Sequence, residues 1–128
     1  MNKDKLNDLG AIILDACITV HRELGPGLLE SAYTSALIRE FELRHIKTQK
    51  QVPVELVYKK TPLGKVYVID ILIEDEIIIE IKSVEIILPI FIFQVITYLK
   101  ITDKKLGYLI NFNVPLLKDG FRRIVNDF

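Results

Sequence analysis

The sequence predicts an α/β domain, a mixed β-sheet flanked by helices in the order ααβββαβ with a short C-terminal element. Three observations carry this prediction. Apolar residues recur at helical spacing over residues 6–44. Runs rich in Val, Ile and Tyr, separated by turn-forming residues, occupy 50–85. A second helical run after Pro89 leads into the oily "KLGYLINFN" of 105–113. A length of 128 residues suits one domain with one core, so residues 1–128 are read as a single unit.

In "LNDLGAIILDACITVHREL" (6–24), Leu6, Leu9, Ile13, Ala16 or Cys17, Val20 and Leu24 fall at three- and four-residue steps, an amphipathic helix ended by "GPG" at 25–27. A second helix is expected over about 28–44, with Leu29, Tyr33, Ala36 or Leu37 and Phe41 on its apolar stripe. Both need a sheet to cover. "KQVPVELVYKK" (50–60) and "GKVYVIDILI" (64–73) supply two strands, with "TPLG" read as the turn between them. "EDE" (74–76) turns the chain into a third strand, "IIIEIKSVE" (77–85), completing a three-stranded meander. The helix after Pro89 lets the strand at 105–113 run parallel to a neighbour. The tail "FRRIVNDF" reads as a strand or a short helix.

Composition narrows the function. Half the residues are apolar and 27% are charged, which excludes a disordered chain. Lys plus Arg and Asp plus Glu both number 17, so no global basic field argues for nucleic acid or an anionic membrane, and any such contact must be local. The N-terminus lacks the pattern of a signal peptide, and the longest uncharged run, Ile86 to Leu99, is short for a bilayer span. The expectation is a cytoplasmic protein without membrane contact. Cys17, the single cysteine, is expected in the core. His21 and His45 have no ligand spacing to another His or Cys.

"IDILIEDEIIIEIK" (69–82) carries the chemistry, because Asp70, Glu80 and Lys82 interrupt what is otherwise the inside of a sheet. A three-residue turn between Ile73 and Ile77 pairs residues whose numbers sum to about 150, by strand alternation, and so sets Asp70 opposite Glu80 on one face with Lys82 beside them. Facing carboxylates that lose hydration cost on the order of several kcal/mol unless something positive intervenes. A hard divalent cation would satisfy both, since Mg²⁺ needs only one or two carboxylates plus waters and a phosphate. Lys82 could then orient a water or stabilise charge on a phosphoryl group. The alternative is a solvated ion cluster on an outer face of the sheet. Glu30, on the edge of the second helix's apolar stripe, could reach the same metal or could simply favour the helix dipole. Gln94 and Tyr98, four apart, share one face of the third helix.

The order of helix, three strands with Asp then Glu-x-Lys, helix with Gln-x-x-x-Tyr, and strand resembles the PD-(D/E)xK nuclease superfamily, and the Gln94–Tyr98 spacing is similar to that of its RecB-like branch. "GLLESAY" (Gly27, Glu30, Tyr33) matches the motif of the GxxExxY family, and "VHRELGPGLLESAY", "IEIKSVE", "TYLKIT" and "LGYLINFNVPLLKDGFRRIVN" extend that likeness over about residues 6–126. The resemblance implies a restriction-endonuclease-like core and a nuclease-like site acting on nucleic acid, DNA foremost. In it Asp70 and Glu80 hold Mg²⁺ or Mn²⁺, Lys82 assists the attacking water, and Glu30 adds an acidic ligand or contact. Gln94, Tyr98 and Tyr33 would support the site or position nucleic acid. Two positions depart from the family's pattern. Val68 stands where an Arg is common two residues before the aspartate, and Phe91 and Ile92 stand where a His-Glu pair is common. These departures keep open a catalytically degenerate binding or assembly module, and the oily "IFIF" (90–93) suggests a homodimer or partner interface along the Ile90–Leu99 helix.

Overall fold

The computed structural model describes residues 1–128. Two helices, α1 (Lys3–Leu24) and α2 (Glu30–Leu43), precede three strands, β1 (Thr48–Tyr58), β2 (Thr61–Ile73) and β3 (Ile77–Lys82). Helix α3 (Pro89–Thr102) crosses to β4 (Leu106–Asn111), and a 3₁₀ turn (Leu117–Gly120) leads into β5 (Phe121–Val125). The strands form one sheet in the order β1-β2-β3-β4-β5. β3 and β4 are parallel and every other pair is antiparallel, the mixed sheet the sequence predicts. A helical crossover is the usual way to place a parallel neighbour, and α3 provides it.

Local chemistry sets the element ends. Asn2 caps α1 by accepting from the Lys5 amide at 2.9 Å. Gly25 (φ 69°) and Gly27 (φ 94°) hold the turn out of α1 in conformations that L side chains rarely adopt. Pro89 opens α3, where its missing N–H costs nothing, and Asp103 closes it in the left-handed region.

One turn differs from its prediction. "TPLG" lies inside β2, and the reversal is made by Lys59 and Lys60, both at positive φ, with Tyr58 paired to Thr61. A two-residue turn with both φ positive matches the twist of paired strands, and this outweighs the Pro and Gly signal next to it. The result is a long β1–β2 arm with register shifts between Val54 and Glu55 and between Leu56 and Val57. The third strand also ends earlier than expected, at Lys82, where its pairing with β4 ends at Asn111.

The sheet is covered on both faces. Eighteen buried residues pack between it and α1 and α2, among them Ile71, Ile73, Ile77, Ile79, Ile81 and Cys17. Nine, including Ile69, Leu72, Ile78 and Leu109, pack against α3 through Val95, Tyr98 and Leu99. Central β3 is therefore buried on both sides, which explains why four of its six residues are isoleucine. No helix is long and apolar enough to cross a membrane.

Candidate active site at the fork between β2 and β3

The expected register holds for three pairs, Ile73 with Ile77, Leu72 with Ile78 and Ile71 with Ile79, and there the ladder stops. Asp70 is next in line, but its carboxylate takes the place of a backbone partner: Oδ2 accepts from the Ile81 amide at 2.8 Å. On the other side Gln51 adopts φ 55° between the Lys50–Ile71 and Val52–Ile69 pairs. The alternation of β2 breaks at this point, since Ile69 packs on the α3 side and Ile71 on the α1 and α2 side. Asp70 thus sits at a fork between two diverging strands.

Glu80 lies on β3 facing that fork and is only 6% exposed. A solvated ion cluster on an outer face needs water around this carboxylate, and the helices on both faces exclude it. Its Oε1 is buried without any hydrogen-bond partner. Burial above all, and next the adjacent Asp70 charge, push Glu80 up to about 8, while Lys82 pulls the other way without prevailing. A buried carboxylate oxygen with no donor, opposite a second carboxylate that keeps an oxygen available, is a donor set that suits a hard divalent cation. Asp70 and Glu80 are the residues that would hold it.

Lys82 is placed differently from the simple expectation. Its Nζ lies 4.4 Å from the centroid of the Phe91 ring, a cation–π contact at the mouth of a groove of about 440 Å³ that Gln94 and Tyr98 also line. Tyr98 is buried, and burial followed by the charges of Glu80 and Asp70 pushes its hydroxyl up to about 12. The two helix positions paired by spacing therefore do face one cavity beside the carboxylates.

Glu30 comes near from the opposite helix layer. It shares with Asp70, Lys50 and Gln51 a polar cleft of about 250 Å³. However, its Oε2 accepts from the Ser83 amide at 3.1 Å, and no three His, Cys, Asp or Glu side chains gather into a metal-holding group. One Glu30 oxygen is thus engaged by the backbone, and the start of α2 is tied to the end of β3. Ser83 completes the tie by donating to the Leu28 carbonyl at 2.6 Å.

Tyr33 has no exposed surface to offer a nucleic acid. Its hydroxyl donates to the Gly25 carbonyl and accepts from the Leu28 amide, and its ring stacks on Phe112 at 4.4 Å between centroids. It fixes the Gly25–Leu28 loop that leads into α2. Tyr33→Phe should cost about 1–3 kcal/mol, the loss of a buried donor and acceptor at once. Urea denaturation at neutral pH measures it, and an unchanged midpoint would remove Tyr33 from this role.

Reading by spacing passed over Asn111. It ends β4 beside Lys82, is 3% exposed, and binds the loop after β3 through Val84 N and Val84 O. A polar residue ending a buried parallel strand was the available signal, because the carboxyl ends of parallel strands are where α/β sheets build sites. Tyr67, which faces Tyr98 with centroids 5.8 Å apart, was also passed over, because it lies in an arm whose outer faces carry no burial signal.

A family model for the PD-(D/E)XK nuclease superfamily matches residues 7–124, nearly the whole chain and every element of the fork. The chain belongs to the PD-(D/E)XK nuclease superfamily. The mixed five-stranded sheet with helices on both faces is consistent with the restriction-endonuclease-like fold of that superfamily. Its nucleases generally use divalent metals such as Mg²⁺. No curated protein and no solved structure matches the chain.

Proposed function

We propose that the protein is a metal-dependent nuclease that hydrolyses phosphodiester bonds at the β2–β3 fork. The single observation carrying this reading is the buried, donor-less Glu80 Oε1 opposite Asp70. Asp70 and Glu80 hold Mg²⁺ or Mn²⁺, which when bound supplies positive charge to a phosphodiester in a site largely shielded from water. Lys82 leaves the Phe91 ring to orient the attacking water or to meet charge on the phosphate. Glu30 adds an acidic ligand or contact from the cleft it shares with Asp70. Gln94 and Tyr98 position the substrate, and Tyr33 holds the loop that leads into α2. The quoted motifs support placing the chain among the GxxExxY proteins and near the RecB-like branch, with DNA as substrate.

The test is cleavage of plasmid, single-stranded circular DNA and RNA with Mg²⁺, Mn²⁺ or chelator, using the native chain and Lys82→Met. Methionine keeps the stem over Phe91 and removes the charge. Metal-dependent cleavage that falls about a hundredfold or more in the variant supports the reading. Cleavage unaffected by the variant, or no cleavage of any substrate, would overturn it.

A second reading, a nuclease-fold module that binds or assembles without turnover, is favoured by the exposed Ile90 (63%) and Phe93 (61%) at the start of α3. Val95, Tyr98 and Leu99 of that helix are buried, so a homodimer or partner contact would centre on the exposed residues of its first turns. Sedimentation across micromolar concentrations decides self-association, and a constant monomeric mass would end that part of the reading.

A further inference from the structure

The groove beside the fork has two walls of different origin. Tyr67 comes from the β1–β2 arm, Phe91 and Phe93 come from the first turns of α3, and Gln94 and Lys82 offer polar groups between them. A volume of about 440 Å³ lies in the range of pockets built for small planar ligands. The arm itself has a charge the whole chain lacks. From Thr48 to Ile69 it carries four lysines against one acid, Glu55, and from Leu56 to Ile69 it has no acid at all. Lys59, Lys60 and Lys65 are exposed, and none of them makes an ion pair.

We propose that this cleft binds single-stranded nucleic acid, with one unstacked base against Tyr67, Phe91 and Phe93 and the neighbouring phosphates on the lysines of the arm. The proposal rests on the nuclease reading of the fork and adds its substrate class. Duplex bases keep their faces stacked and closed, so aromatic walls gain nothing from them, whereas an unpaired base presents its face to any ring. Exposed lysines without acidic partners are complementary to the strand's phosphates and release its counterions. The groove also borders the carboxylates, since Tyr98 on its floor lies close enough to Glu80 and Asp70 to be shifted by their charges. A base held there sets an adjoining phosphate toward the fork.

The experiment measures binding without cleavage. Fluorescein-labelled oligothymidylate and a blunt duplex of equal length are titrated with the native chain in chelator, with Phe93→Ala, and with the Lys59→Ala, Lys60→Ala double variant. Phe93 is 61% exposed and the two lysines are fully on the surface, so the variants should fold as the native chain does. The expected result is at least tenfold tighter binding of the single strand, a five- to hundredfold loss in Phe93→Ala confined to the single strand, and a salt dependence shallower by about one to two in the lysine variant. Equal affinity for duplex and single strand, or an unchanged Phe93→Ala, would overturn the proposal. So would a Phe93→Ala that abolishes self-association in sedimentation and leaves nucleic-acid binding intact, since the groove would then seat a second copy. Because no metal or turnover is involved, a chain that binds the single strand and never cuts fails the nuclease reading alone. One that cuts without preferring single strands fails this proposal alone.

Discussion

Asp70→Asn should weaken divalent-cation binding by about a hundredfold or more and leave the chain folded. Asparagine is the informative substitution because the Asp70 Oδ2 accepts from the Ile81 amide at 2.8 Å, and an amide oxygen can keep that bond while losing the charge. Alanine would leave a part-buried N–H unpaired where β2 and β3 diverge, at about 1–3 kcal/mol, and would confuse lost folding with lost function. In calorimetry with Mn²⁺, the native chain should release heat at one site and Asp70→Asn should show a loss of affinity of about a hundredfold or more, with an unchanged circular dichroism spectrum. Native-like binding in the variant would mean that the ion, if one binds, lies elsewhere.

Glu80→Gln should stabilise the metal-free protein at alkaline pH. In the unfolded chain this carboxyl ionises near 4.5, and in the fold it does so near 8, raised first by burial and then by the Asp70 charge. Below about 4.5 both states are protonated and Glu80 contributes no pH dependence. Between the two values the folded state holds a proton that the unfolded state has released, so stability falls as pH rises, and the loss is complete above about 8. Glutamine removes this titration. Urea midpoints in chelator should therefore diverge from pH 5.5 to pH 9, with the variant ahead by about 2–4 kcal/mol at the upper end. Saturating Mg²⁺ should narrow the gap for the native chain alone, since cation and proton compete for one carboxylate pair. Parallel pH profiles for the two proteins would show that Glu80 is not the group responsible.

The register of the β2–β3 turn was legible because it depends on counting, "EDE" leaving Ile73 and Ile77 to close a three-residue turn, whereas the end of the ladder before Asp70 was not. The helices were equally legible from 3.6-residue spacing, and the parallel β3–β4 pair from the helix between them. The turn at Lys59 and Lys60 was not, because two lysines at positive φ contradict their own preferences and are held there by the strands they join.

The chemistry of the fork was decided at longer range. Glu80 becomes a buried, unpartnered acid only because α3 covers one face of β3 while α1 and α2 cover the other, so its solvation depends on residues far away in sequence. The same holds for Lys82, whose resting place is the ring of Phe91, and for Glu30, one oxygen of which accepts from the Ser83 amide. Local patterning specifies which side chains share a face. Which of them lose water, and which neighbour replaces it, is a property of packed layers, and it was available only once the layers were in place.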